Sequence, residues 1–319
     1  MTAKKSNSCL FITNQIIKKH VTGSALVTVL FCIGIFGCRS VNNSLVRIGQ
    51  DTKHSEVEKR SNLLDKNFSN IPEIRIISKK WGTGNHQDIL AVLRSVAEIL
   101  FPLGGKPPYN DIWVSRSEQG PIVIYQRGKE GQYIVKLNTK DRYWCQYAFQ
   151  FSHEIGHILC GYKDGDYSNL WFEETLGEVA SLYALLRLEE SWKQSPPFPH
   201  WKGYAPEFTK YAEERIKKYE NEIPADLTTW FQANKQSLRN EAVDRPRNVS
   251  LAIRLLPLFD TFPEGWSACA FLNAKKSKTP RSFTSYLNDW YEMCRLPEQK
   301  SFIKKIADKF GIKLSFQKD

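Results

Sequence analysis

Residues 141–162, DRYWCQYAFQFSHEIGHILCGY, leave this chain little freedom. The stretch has no proline, and its apolar residues recur at helical spacing, so it predicts one long helix. Asn138 and Thr139 are candidate caps at its start, and Gly161 suits its C-terminal end. Inside it lies His153-Glu154-Ile155-Gly156-His157. Residues four apart share one face of a helix, so both imidazoles can point at a single ion. Glu154, next to His153, can reach a water held by that ion and take its proton. The flanking Phe151, Ser152, Ile158 and Leu159 carry no charge. Two histidines and a carboxylate among apolar side chains are costly to bury without a partner, and a metal supplies one. The plainer alternative is a pair of hydrogen-bonded histidines at the edge of a core.

A hydrolytic zinc site takes three protein ligands and keeps a fourth position open. The other histidines are His20, His54, His86 and His200, and no HExxHxxGxxH extension follows, because residue 163 is Lys. A carboxylate from the next predicted helix, Trp171-Phe172-Glu173-Glu174-Thr175-Leu176-Gly177-Glu178, is the natural third ligand.

Together, residues 153–157 and 171–181 resemble the gluzincin group of zinc metallopeptidases, thermolysin-like and one-zinc aminopeptidase-like enzymes. The resemblance implies one Zn2+ per chain on His153, His157 and Glu174. It implies hydrolysis of peptide bonds by a metal-bound water, with Glu154 as general base. Glu178, one turn beyond Glu174, aligns with an acid that accepts the free N–H of a ligating histidine and fixes its tautomer. Glu173 points about 100° away from Glu174 around the helix and is expected to have no partner in the site. The alternative for these acids is a solvated face, against which Leu170, Trp171, Leu176, Val179, Ala180 and Tyr183 argue for burial. The resemblance also implies that a strand before the active helix binds an extended peptide by strand addition, from 121–125 or 132–137. The aminopeptidase signature GxMEN is absent, so nothing points to amino-terminal specificity. His200, Tyr204, Arg245 and Arg247 are oxyanion-stabilising candidates by residue type alone, and each reads first as an ordinary packing or surface residue, so none is assigned the role.

The rest of the chain frames these motifs. Strands are expected at 74–78, 111–115, 121–125 and 132–137, with a helix at 86–101. Beyond 171 the pattern is helical: 171–190, 206–220, 224–239, 248–260, 264–274, 279–294 and 297–310, with prolines near several starts. The fold class expected is therefore α+β. A zincin-like lobe at 71–190, a small mixed sheet plus the HExxH helix, is followed by an all-α lobe at 191–319.

Residues 21–37, VTGSALVTVLFCIGIFG, are uncharged and follow Lys18 and Lys19. A basic flank before an apolar run is an export signal or anchor. The run ends Ile35-Phe36-Gly37-Cys38, which resembles a bacterial lipoprotein signal with lipidation at Cys38. An uncleaved anchor helix is the alternative. Either reading makes 1–38 a membrane-directing segment and 39–70 a polar tether, and places the rest outside the cytoplasm.

Such a compartment permits disulfides. Cys145 and Cys160 are about 22 Å apart on one helix and cannot pair with each other. Cys269 with Cys294 is possible, and buried free thiols are the favoured reading. The formal charge is +11, of which the first 37 residues supply +4. The remaining excess is mild, and no arginine–aromatic stripe or nucleic-acid module accompanies it, so nucleic acid is not an expected partner. The expected partners are a peptide or protein substrate and the membrane. A zinc-binding lipoprotein without catalysis, serving as a binding or scaffold module, is the alternative function. Glu154 argues against it, because a structural site needs no such base and fills all four positions with protein.

Overall fold

The computed structural model describes residues 71–162, 166–277 and 279–315. The expected export segment through Cys38 and the tether at 39–70 lie outside the described residues. The described residues fall within one unit, Phe68–Asp319.

Four short strands form one mixed sheet: β1 (Ile74–Ile76), β2 (Ile112–Arg116), β3 (Ile122–Ile124) and β4 (Tyr133–Leu137). Their order is β1-β2-β4-β3, parallel except for β3, which runs antiparallel to β4 with Val123 opposite Val135. Ile112, Val114, Val135 and Leu137 alternate inward and are buried, the pattern of strands with one face on a core. The expected segment 121–125 is thus the edge strand, and 132–137 is interior.

Helix α1 (His86–Leu100) covers the sheet through Ile89, Val92, Leu93, Val96 and Leu100. Asn85 caps it by accepting the Asp88 N–H at 2.8 Å. The HExxH helix, α2, runs Trp144–Leu159. It starts later than the sequence suggests, and neither Asn138 nor Thr139 caps it. Asp141 stands at φ 55°, and its carboxylate accepts from the Thr83 N–H and hydroxyl at 2.9 and 3.1 Å. This tie to the 81–84 turn holds the chain out of helix until Trp144. Gln150 meanwhile binds the Asn138 N–H and carbonyl, so residue 138 belongs to the loop. The end comes where expected, with Gly161 at φ 68° just past the last turn.

Helix α3 (Leu170–Gln194) crosses α2 and is buried over most of its length from Trp171 to Leu188, acids included. The helices that follow are α4 (Ala205–Tyr219), α5 (Leu227–Asn240), α6 (Arg245–Thr261), α7 (Glu264–Cys269), α8 (Phe283–Met293) and α9 (Pro297–Lys309). Helix α7 is shorter than the expected 264–274, and α8 begins at Phe283, where Ser282 caps it by accepting the Ser285 N–H. Cys145, Cys160, Cys269 and Cys294 are all free and buried. The fold is α+β: a small sheet with two covering helices, then a helical remainder packed around α3. Among the described residues, no helix is long and apolar enough to cross a membrane.

Candidate metal centre

Close approach of α2 and α3 builds the site. A side chain at Gly156 would stand 2.9 Å from the Gly177 Cα and 3.1 Å from the Ala180 Cβ. A side chain at Gly177 would stand 2.8 Å from the His153 ring. Two glycines thus let the backbones meet where His153 and His157 face the acids of α3. Ser181 adds a cross-link, donating from its buried hydroxyl to the Phe149 carbonyl at 2.8 Å.

His153 Nε2 lies 3.3 Å from Glu174 Oε2, and His157 Nε2 lies 3.8 Å from Glu174 Oε1. One ligand atom from each of the three residues falls within 4.8 Å of the others, so this group could hold a metal ion. Ligands at about 2.0–2.1 Å in a tetrahedron stand roughly 3.3 Å apart, the separation of His153 Nε2 and Glu174 Oε2, while His157 Nε2 would have to draw in by some tenths of an ångström. His153 and Glu174 are only partly covered, whereas His157 is buried, so the cluster opens on the His153–Glu174 side.

The outer ring nitrogens meet two further acids. His157 Nδ1 is 2.8 Å from Glu173 Oε1, and His153 Nδ1 is 3.7 Å from Glu178 Oε1. Glu178 therefore stands on the side of His153 that the sequence suggested, but beyond hydrogen-bond distance. Glu173, expected to point away, holds the second histidine. The rings of His153 and His157 are tilted by 68° to each other, so their Nδ1 atoms look to different turns of α3. The available signal was the histidines themselves, since two ligating rings call for two acceptors.

Four carboxylates, Glu154, Glu173, Glu174 and Glu178, thus surround two imidazoles in a largely buried place. Glu178 Oε2 is buried with no hydrogen-bond partner among the described residues. A divalent cation offsets such an excess of negative charge, and the donor set, two imidazoles and a carboxylate, suits zinc. Without a metal the charges shift one another. Burial opposes protonation of His157, but Glu174 and Glu173 outweigh it and push its pKa up to about 10. His153 moves the same way: burial opposes, while Glu174 and Glu178 prevail. Burial works against ionisation of Glu174, yet His157 and His153 hold its carboxyl below the usual range.

Glu154 is buried on α2, and its Oε2 accepts the Val123 N–H of edge strand β3 at 2.5 Å. Burial pushes its carboxyl up, against the pull of His153 and His157. Beside this strand, Tyr125 stacks on Tyr162 at 4.0 Å, and the Tyr162 ring is 5.3 Å from that of His157. Neither tyrosine nor the Val123 N–H carried any signal in the sequence.

The candidates chosen by type scatter. The Tyr204 hydroxyl pairs with the Cys145 thiol at 3.3 Å. Arg247 binds Asp244, Ser237 and the Glu241 carbonyl. His200 stacks near Phe198. Arg245 alone reaches the cluster electrostatically, helping to lower Glu174. Compared with protein-family models, curated proteins and solved structures, the chain matches none.

Proposed function

We propose that this chain is a zinc-dependent peptidase of zincin-like fold, with His153, His157 and Glu174 as ligands. One observation carries the reading. A carboxylate that ligates nothing, Glu154, is buried beside the His–His–Glu cluster and hydrogen-bonded to the free edge of the sheet. A structural metal site does not require a free carboxylate at that place, whereas a hydrolytic one needs a base there.

Zinc, when bound here, supplies a nucleophilic water at neutral pH and polarises a carbonyl. The chain's own residues do the rest. Glu154 accepts the proton of the attacking water and returns it to the leaving amine. With Oε2 held by Val123, Oε1 is the atom that carries it. Burial raises its carboxyl above the ordinary range, which makes it the stronger base. Strand β3 lies at an edge of the sheet with its Val123 N–H taken by Glu154, and an extended peptide can add along what remains of that edge, bringing a backbone carbonyl toward the cluster. Glu173 and Glu178 orient the rings, leaving Nε2 of each toward Glu174. We further propose that the N-terminal segment holds the protein on the outer side of a bacterial-type membrane, through lipid at Cys38 or as an uncleaved anchor. Metabolic labelling with a radioactive fatty acid, compared between wild type and Cys38→Ala, separates the two.

The Glu154–Val123 bond also favours a second reading. A carboxylate engaged by the sheet can serve structure alone, and the protein is then a zinc-binding module without catalysis. Elemental analysis of the full chain, followed by a peptide-mixture digest with Glu154→Gln as control, tests both. About one zinc per chain with cleavage lost in the variant supports the peptidase. Zinc without cleavage in either protein supports the module. A folded chain that takes up no zinc removes both.

A further inference from the structure

The ligand His157 is held through a chain of hydrogen bonds that begins in the helical remainder, more than a hundred residues away. His157 Nδ1 meets Glu173 Oε1 at 2.8 Å. The second oxygen of Glu173 accepts from Asn273 Nδ2 at 2.6 Å. Asn273 Nδ2 also donates to the Cys160 carbonyl at 3.2 Å, at the C-terminal end of α2. Its Oδ1 accepts from the Tyr286 hydroxyl of α8 at 2.9 Å.

These contacts allow only one arrangement of the Asn273 amide. Its NH2 faces two acceptors, a carboxylate oxygen and a backbone carbonyl. Flipping the group would set oxygen against oxygen at both. The Tyr286 hydroxyl, on a fully buried ring, then donates to the remaining oxygen. Glu173 in turn accepts at both oxygens, from Asn273 and from His157. In the neutral form that binds a metal, the imidazole therefore keeps its hydrogen on Nδ1 and presents its lone pair at Nε2, on the side of Glu174.

We infer that Asn273 and Tyr286 are positioning residues for the metal ligand His157, acting through Glu173. The inference rests on the zinc reading above and deepens it: the helical remainder helps to build the metal centre. Tethering the end of α2 and the start of α3 to one amide fixes the tautomer and the direction of the ring.

The test uses the full chain loaded with cobalt(II), whose visible spectrum reports ligand geometry, together with zinc affinity by chelator competition. The variants are Asn273→Ala, Tyr286→Phe and, as a control, Ser267→Ala. The control removes side-chain hydrogen bonds in the same region that do not lead to Glu173. Tyr286→Phe keeps the buried ring and loses only the hydroxyl. The expected result is a tenfold or greater loss of zinc affinity in Asn273→Ala, on the order seen for groups behind metal ligands. Tyr286→Phe should lose about threefold, as one hydrogen bond in the chain is removed. Both should alter the cobalt spectrum, while Ser267→Ala leaves affinity and spectrum at wild-type values. Wild-type affinity and spectrum in both Asn273→Ala and Tyr286→Phe overturn this inference alone. Equal losses in all three variants assign the effect to general loosening and also overturn it. A folded wild type that takes up neither cobalt nor zinc overturns the zinc reading, and this inference with it.

Discussion

His153 and His157 stand one helical turn apart and are held in opposite ways. Around His157 every polar atom of the supporting group is used: both oxygens of Glu173 and both ends of the Asn273 amide. Around His153 the support is thin. Glu178 Oε1 is 3.7 Å from the ring nitrogen, and its other oxygen is buried without a hydrogen-bond partner among the described residues. A fully bonded buried network is rigid, whereas a half-bonded one leaves desolvation uncompensated. On the zinc reading proposed above, the deep histidine is thus fixed and the one at the open rim keeps slack, where a substrate and a fourth ligand would enter.

The largest effect is expected at Glu154, the residue that serves neither ring. Glu154→Gln keeps the size of the side chain and all three proposed ligands. Peptide hydrolysis should fall by about 10²–10⁴-fold, the usual worth of a general base. Zinc content should stay near one per chain. Steady-state kinetics beside elemental analysis measures both. Loss of zinc together with activity would mean that Glu154 supports the metal, and the division of labour between base and ligands would fail.

Next in size is a direct contest between the two supports. Glu173→Ala should weaken zinc binding by about 10–100-fold. Glu178→Ala should weaken it by less, because its contact with His153 is long. In the metal-free protein, Glu178→Ala removes a buried oxygen that lacks a partner but also the pull on His153, so its melting temperature should fall less than that of Glu173→Ala. Chelator competition and thermal unfolding give the two numbers. If Glu178→Ala proves the costlier for zinc, the two histidines have been ranked the wrong way round.

How much of this was readable from sequence follows from the distance over which each interaction acts. The i, i+4 pair His153/His157, Glu174 with Glu178 one turn on, and the positions of the four strands are local patterns, and the structure brings the two histidines and Glu174 together as the spacing implies, whereas the order of the strands in the sheet was not legible. The α+β class follows from the same local signals. What sequence did not give depends on which segments meet. Asn273 lies 100 residues from Glu173, and Val123 lies 31 residues from Glu154. The start of α2 was misplaced for the same reason: Asp141 bonds to Thr83, 58 residues back, and that contact overrides local helix propensity. Glu173 was misjudged because the helical angle was referred to Glu174 alone, although a second ring with its own orientation was waiting for an acceptor.

The crossing of α2 and α3 allows a last refinement, from steric changes down to a single hydroxyl. Gly156→Ala pushes a methyl against backbone, which cannot yield locally. Stability should fall by about 1–3 kcal/mol, the cost of overpacking. Gly177→Ala pushes the same methyl against the His153 ring. The ring has slack, so the cost should appear less in unfolding than in zinc affinity. Ser181→Ala is the smallest change. Its hydroxyl donates to the Phe149 carbonyl, which as part of α2 also accepts the helical N–H four residues on. Nothing is left unsatisfied, and the loss should be about 1 kcal/mol, read as a melting shift of roughly 2–4 °C with zinc affinity unchanged. If Ser181→Ala also weakened zinc binding, the slack assigned to His153 would belong to the whole crossing, and the contrast between the two histidines would reduce to their depth.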